Sequence, residues 1–428
     1  MKILFLTDNF PPESNAPAIR TYEHCQEWIK QGAEVTVITC APNFPKGEVF
    51  PGYKNKWYQE EQMEGIRVIR VWTYITPNRG LFRRILDYIS FCFSAFIASL
   101  FVKTDIIIAT SPQLFTAVGG YLAAMVKGRP WIMEVRDLWP ESIKAVGAME
   151  QSRILKILDQ LVMFLYRKAN RIVVVTDSFK DRIHACGVAL SKIEVVKNGV
   201  HLHKYKREGK KEALLGKLGL RDKFVVAYIG THGMAHKLDF IIDCAADIKN
   251  PNIHLLFVGE GAMKGRLVKQ AKQLALDNVT MLDAIPKAEV PDYISISDIA
   301  LIPLRKKNTF TKVLPSKIFE NAAMAKPILL GVEGEARDLV LSYQAGRCFE
   351  PENKADFLKN LEALYQESEQ YKVYQKGCEA LARDFDRSRL AQRMYQIIQS
   401  TVAQPQLSNE IPEELSVPLK GQFEDKGA

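Results

Sequence analysis

Only seven of the 428 residues are cysteine (Cys25, Cys40, Cys92, Cys186, Cys244, Cys348 and Cys378), and no two form a C-x-x-C pair. An odd, dispersed set of that kind excludes a disulfide framework and zinc ribbons, so a reducing compartment is the expected setting. Long apolar runs are equally scarce. The charge-free stretch Tyr88 to Val102 falls short of the ~20 residues that a spanning helix needs. The N-terminal MKILFLTDNF breaks at Asp8, too early for a signal peptide, and reads as a first strand. No short fixed repeat runs through the chain, which excludes collagen and coiled coil as overall descriptions.

What is present is a globular composition, 47% hydrophobic and 25% charged, long enough for two or three domains at roughly 100–200 residues each. The net charge of +9 favours an anionic partner: nucleic acid, lipid headgroups or a phosphorylated substrate. Short apolar runs alternate with segments of helical period. The first series is KILFLT (2–7), EVTVIT (34–39), RVIRVW (67–72), DIIIAT (105–110), PWIMEV (130–135) and RIVVVT (171–176). A second comprises KFVVAYIG (223–230), IHLLFVG (253–259), NVTML (278–282), DIALIPL (298–304) and PILLG (327–331). Such runs suit parallel strands covered by helices, and two series imply two doubly wound α/β domains. The boundary is expected near Asn198-Gly199-Val200, giving domains 1–200 and 201–386. A helix at 387–402 is expected to cross back to the first, and a mobile tail to occupy 403–428.

Open α/β sheets bind ligands beyond the carboxyl ends of their strands. After the first strand, T-D-N-F-P-P-E-S-N-A-P-A-I-R (7–20) reads as a rigid loop delivering a helix N-terminus, with Pro17 in its first turn. Free amides there would attract a phosphate, although a loop that only turns the chain has the same pattern. In Y-I-G-T-H-G-M-A-H-K (228–237), Gly230 and Gly233 permit close approach of a ligand, while His236 and Lys237 supply positive charge. Gly259 and Gly261 end the next strand. Neither loop is a P-loop or a G-x-G-x-x-G fingerprint. In R-K-K-N-T-F-T-K-V-L-P-S-K-I-F-E (305–320), Ser316 is expected to cap a helix starting at Lys317. Lys317 and Glu320 then share one face, where an ammonium meets a diphosphate and a carboxylate accepts from ribose hydroxyls. An exposed helical ion pair is the plainer alternative.

Taken in order, D-N-F-P-P-E-S-N-A-P-A-I-R, A-P-N-F-P-K-G, P-G-Y, E-V-R-D-L-W-P-E-S (134–142), V-V-V-T-D-S-F, K-N-G-V, Y-I-G-T-H-G, F-V-G-E-G, S-D-I-A-L-I-P-L and P-S-K-I-F-E resemble retaining GT-B glycosyltransferases of family 4 (glycosyltransferase group 1). The likeness is greatest to the bacterial branch that builds O-antigen and capsule, including L-fucosaminyltransferase-like enzymes. It implies two Rossmann-like domains facing across a cleft, with the nucleotide sugar on the second and the acceptor on the first. It also implies a UDP-linked N-acetylated hexosamine or deoxyhexosamine donor, a lipid-linked saccharide acceptor, and neither metal nor cofactor. Residue by residue, Lys317, Lys237 and Arg305 are candidates for the diphosphate. Glu320 matches the second glutamate of the family's E-x7-E motif, and Lys312 stands where the first would be. The family's phosphate-loop Arg and Lys fall at Thr231 and His236. Glu335 is placed beside the donor. Asp137 occupies about the position of an acceptor-facing His-Asp pair, with Arg136, Glu141, Asn15, Ala16 and Pro17 also assigned to the acceptor. Asp137, Lys317 and Glu320 are the catalytic candidates; a capping Asp beside a packing Trp139 is the plain alternative for the first.

Three arginines (Arg79, Arg83, Arg84) precede the apolar stretch that runs to residue 103, as in an interfacial anchor. Residues 153–171 form a second basic, apolar stretch, and 151–200 carry nine Lys/Arg against four Asp/Glu. A cytoplasmic enzyme resting on the inner face of the membrane would use such surfaces, although buried helices of a large α/β domain are also apolar. Nucleic acid is not expected, because no interleaved basic-aromatic motif is present. A GT-B nucleotide-sugar epimerase and a catalytically inert GT-B partner are the competing functions.

Overall fold

The computed structural model describes residues 1–44, 46–76, 81–111, 113–139 and 153–404. Arg79, Glu141 and the tail from 405 lie outside the described residues. Packing divides the chain into two compact units. The first comprises Met1–Phe10, Ile29–Val196 and the chain from Tyr395; the second comprises Pro11–Trp28 and Lys197–Met394.

In the first unit, strands β1 (Lys2–Leu6), β2 (Glu34–Cys40), β3 (Tyr58–Met63), β4 (Ile66–Val71), β5 (Ile106–Thr110), β6 (Trp131–Val135), β7 (Arg171–Val174) and β8 (Ile193–Val195) form one sheet. Its order is β3-β4-β2-β1-β5-β6-β7-β8. Every pairing is parallel except β3–β4. Leu4 lies opposite both Thr36 and Ile107, so β1 is central and its run is buried from Ile3 to Leu6. The order reverses between β1 and β5, the kind of crevice in which doubly wound sheets take ligands. Helices α2 (Leu81–Leu100), α3 (Leu114–Lys127) and α4 (Arg153–Lys168) bury Phe91, Ala117 and Leu165 in one core with Leu4, Ile107 and Ile172.

The second unit has strands β9 (Phe224–Ile229), β10 (Ile253–Val258), β11 (Val279–Leu282), β12 (Ile299–Pro303), β13 (Ile328–Gly331) and β14 (Gly346–Cys348). They are parallel throughout, in the order β11-β10-β9-β12-β13-β14. Here the order reverses between β9 and β12. Helix α1 (Ala16–Lys30) buries Ala18, Thr21, Cys25 and Trp28, a 3-4-3 spacing that makes one stripe. The Trp28 indole donates to the Ala391 carbonyl (3.0 Å), and Arg20 donates to the Lys197 carbonyl (2.9 Å). These bonds group 11–28 with the second unit, whereas a cut at residue 200 assigns them to the first.

Every strand expected from an apolar run is present. The three that no run announced, β3, β8 and β14, all lie at sheet edges. An edge strand buries less, so apolar continuity is not required of it. β3 is YQEEQM, half exposed, and joins β4 through Glu64-Gly65, both at positive φ (47° and 86°), a two-residue hairpin.

Candidate active site

At the reversal in the second unit, β9 ends in Gly230 (φ 144°) and β10 in Gly259 (φ 149°). A Cβ on Gly230 would lie 2.7 Å from Lys317 Nζ, so the lysine runs across the space that a side chain would fill. A Cβ on Gly259 would collide with the Gly230 carbonyl, and one on Gly261 would meet the His232 carbonyl at 2.5 Å. The two glycine loops interlock, and this packing is what demands glycine. Lys317 opens the helix Lys317–Ala323, with Nζ 5.1 Å from the centre of the Tyr228 ring. Burial holds its ammonium below the ordinary lysine value against the pull of Glu320. His232 is fully buried, and among the described residues neither ring nitrogen has a hydrogen-bond partner. Burial, with Lys264 and Lys317 adding, lowers its pKa to about 4.

Glu320, one turn beyond Lys317, lines a cavity of about 620 Å³ together with Ser316, Tyr205, Lys287, Glu23 and Arg387. Burial raises the Glu320 pKa, opposed by Lys287, Lys317, Arg387 and a hydrogen bond from the Tyr205 hydroxyl. Across the same cavity, Glu23 is 2% exposed and held by Arg387, by Lys204 (2.8 Å) and by His201 (3.7 Å). Its own burial pushes the carboxyl up, but Arg387 and Lys204 outweigh this and leave it below the usual value. Tyr205, Lys287 and the Glu23–Arg387 pair were not anticipated. Glu23 and Arg387 are 364 positions apart, and no local pattern connects them.

Other expectations are altered by their surroundings. His236 supplies no charge at neutral pH, because burial and then Lys317 lower its pKa to about 4. Lys237 takes a left-handed conformation and faces Asp239 (3.5 Å) and Glu352 (3.7 Å), which engage its cation. Gly233 has φ −100° and would meet no atom closer than 3.7 Å with a Cβ, so that position does not require glycine. Ser316 does precede the helix, but its own backbone is helical and its side chain makes no cap. The Arg305 amide ties the end of β12 to the Ala235 carbonyl (2.8 Å). Glu335 opens the helix Glu335–Ser342 and pairs with Lys197 (3.1 Å). In α1, the Asn15 side chain accepts from the Ala18 amide (2.9 Å) and Pro17 has no N–H, so this turn has fewer amides for an anion than the sequence suggested. Ala16 lines the cavity.

In the first unit, the amides of Arg136 and Asp137 both donate to Ser111 Oγ (2.7 and 3.3 Å), which binds the end of β6 to that of β5. Asp8, Asp87 and Gln113, overlooked in the sequence, gather at the same strand ends. Helix α2 is two-faced: Phe91, Cys92, Ala95 and Ala98 are buried, while Leu86, Ile89, Phe93 and Ile97 form an exposed stripe continued by Phe101. On α4, Ile154, Ile157 and Phe164 are exposed and Leu155, Val162 and Leu165 buried. Among the described residues, no helix is long and apolar enough to cross a membrane, and no group of three or more His, Cys, Asp or Glu could hold a metal ion.

Comparison with known proteins agrees with this architecture. Among curated proteins, WcaI of Escherichia coli (strain K12), named as a colanic acid biosynthesis glycosyl transferase, is 25% identical over 365 residues, 82% of this chain and 89% of WcaI. Sucrose-phosphate synthase from Thermosynechococcus elongatus superposes with a TM-score of 0.75 at 14% identity, covering 94% of this chain and 99% of that one. Anabaena HepE, solved in complex with UDP and glucose, gives 0.69 at 16%, covering 94% and 100%. The family model for Glycosyltransferase Family 4 matches residues 18–204 and that for Glycosyl transferases group 1 matches 210–379. Between them the two span most of the chain, which belongs to the GT-B glycosyltransferases of group 1 and family 4.

Proposed function

We propose that this glycosyltransferase takes an N-acetylated hexosamine or deoxyhexosamine from a UDP-linked donor and transfers it, with retention at the anomeric carbon, to a lipid-linked saccharide in cell-surface polysaccharide biosynthesis. The observation that carries this reading is Lys317 laid across Gly230 at the reversal of the second sheet, with Glu320 one turn further on the same short helix. The demanding step is departure of the nucleoside diphosphate. A desolvated ammonium beside a glycine backbone stabilises the charge that develops on the leaving oxygen far better than a hydrated one. Glu320 accepts from the ribose hydroxyls, and Asp137 orients the acceptor hydroxyl or accepts its proton. No step is assigned to a metal ion. The name of WcaI supports the polysaccharide assignment, and HepE with UDP supports the nucleotide. The exposed stripe of α2, beside Arg83 and Arg84, supports a place on the inner, anionic membrane surface where lipid-linked acceptors lie.

The test is a panel of UDP-, GDP- and dTDP-sugars with a polyprenyl-diphosphate saccharide acceptor in anionic liposomes. The expected result is release of UDP that depends on acceptor, persists in chelator, and comes from enzyme that floats with the vesicles. Sugar interconversion without acceptor would instead identify an epimerase. Nucleotide binding with no turnover on any acceptor would identify an inert partner, and either outcome overturns the proposal.

A further inference from the structure

The first sheet reverses between β1 and β5, and the residues just beyond those strands include Asp8 and Gln113. The Gln113 amide nitrogen donates to Asp8 Oδ2 (2.5 Å), which fixes the amide, since the flipped form would set two oxygens together. Gln113 is only 8% exposed. Among the described residues, its Oε1 and Oδ1 of Asp8 are buried and have no hydrogen-bond partner. Leaving such a group unpaired costs on the order of 1–3 kcal/mol each. Two unpaired acceptors, side by side at the crevice where this architecture takes ligands, call for a ligand that donates. Around them stand Asp87 of α2, which accepts from Thr73 Oγ1 (2.9 Å), and Arg136 at the end of β6. Tyr88, also on α2, packs edge-on against Trp139, with ring centroids 6.3 Å apart.

We infer that Asp8 and Gln113 hold the acceptor's saccharide ring, a ring hydroxyl donating to Asp8 Oδ1 and a second hydroxyl or an amide N–H to Gln113 Oε1. The inference deepens the proposed function, since it rests on the first unit taking the acceptor. The site suits a neutral sugar with two neighbouring donors. A phosphate would meet the carboxyls of Asp8 and Asp87, which repel it. Asp87, Tyr88 and Arg136 are positioning residues that frame the ring.

The carboxyls give the site a pH signature. Burial raises the Asp8 pKa to about 6, with its bond to Asn9 and the charge of Arg136 opposing. Asp87 is likewise raised to about 6 by burial, helped by Asp8 and opposed by its bond from Thr73 and by Arg84. Tyr88, a further titratable group on this face, has its pKa raised by burial and stays neutral. A hydroxyl donates more strongly to a carboxylate than to a carboxylic acid. Ring binding is therefore strongest above about pH 6 and weakens below it.

Saturation-transfer NMR on the full chain, with the methyl glycosides of N-acetylglucosamine and of glucose as probes, tests this beside calorimetry with UDP. Wild type should give a signal at pH 7.5 that weakens several-fold at pH 5. Asp8→Asn and the volume-conserving Gln113→Met should each weaken it by about tenfold, one hydrogen bond's worth, with UDP affinity unchanged. Wild type that binds UDP but neither glycoside, or variants that bind the glycosides as wild type does, would overturn the inference. Wild type that binds no nucleotide would strike the functional reading instead, so the two failures are distinguishable. If either variant melts early, the pH dependence of wild type alone decides: a flat profile between pH 5 and 7.5 is fatal.

Discussion

The two units share one topology and equip its reversal point with opposite chemistry. In the second, β9 and β10 end in glycines, and the space this leaves is crossed by Lys317 from a helix elsewhere in the fold. Two histidines nearby, His232 and His236, are neutral. In the first, β1, β5 and β6 run into Asp8, Ser111 and Arg136, so the strand ends are lined by their own side chains. A glycine end admits close approach and a cation from a distance, which suits a diphosphate. A side-chain end offers hydrogen-bond acceptors, which suits hydroxyls. On the proposed reading, the first residues after each strand divide the labour that the fold leaves open.

The largest effect that could break this contrast is on packing. Gly259→Val should place Cβ against the Gly230 carbonyl in a backbone conformation that valine avoids. Overpacking and strain together should cost about 2–5 kcal/mol by chemical denaturation. Ser111→Ala, at a strand end of the first unit, removes an acceptor shared by two amides and should cost only about 1 kcal/mol. Equal losses would mean that glycine at the second unit's strand ends carries no special burden. Next in size is Lys317→Ala. On the proposed donor reading it should weaken UDP binding on the order of 100-fold, as loss of one preorganised charge-stabilising group does. The melting temperature should barely move, because burying that ammonium is unfavourable to begin with. Unchanged affinity by calorimetry would remove Lys317 from the donor site.

The contrast was only half legible in the sequence, and the reason is range. A parallel strand buried on both faces must be apolar, so β1 or β9 declares itself; β3 at an edge need not, and YQEEQM is silent. Lys317 and Glu320 could be paired by reading one helical turn, because three residues on a helix fix their distance. Asp8 and Gln113 are 105 positions apart, and only the crossing from β1 to β5 brings them together. The charge on His236 was misjudged for a related cause: protonation depends on burial, which the tertiary fold supplies. Lys237 was read as a source of positive charge, and Glu352, which faces it, is more than a hundred residues downstream.

The subtlest test uses the same carboxyls and imidazoles against one another. His232 and His236 titrate near pH 4 when folded and near 6.5 when unfolded. The unfolded chain binds their protons first as pH falls, so their contribution to stability is full above 6.5 and is lost on the way down to about 4. For Asp8 and Asp87 the shift is upward, from 3.8 to about 6. The folded state then binds the protons first, and that contribution is full below 3.8 and lost as pH rises through about 6. Between pH 6.5 and 4 the two sites should move in opposite directions. Amides of β1 and β5 should gain protection and those of β9 and β10 lose it, each by at least about tenfold in exchange rate after correction for intrinsic chemistry. His232→Gln should abolish part of the loss in β9 and leave β1 unmoved. Parallel trends in both sheets would mean that a common acid response, and not the chemistry at each reversal point, governs how the units answer to pH.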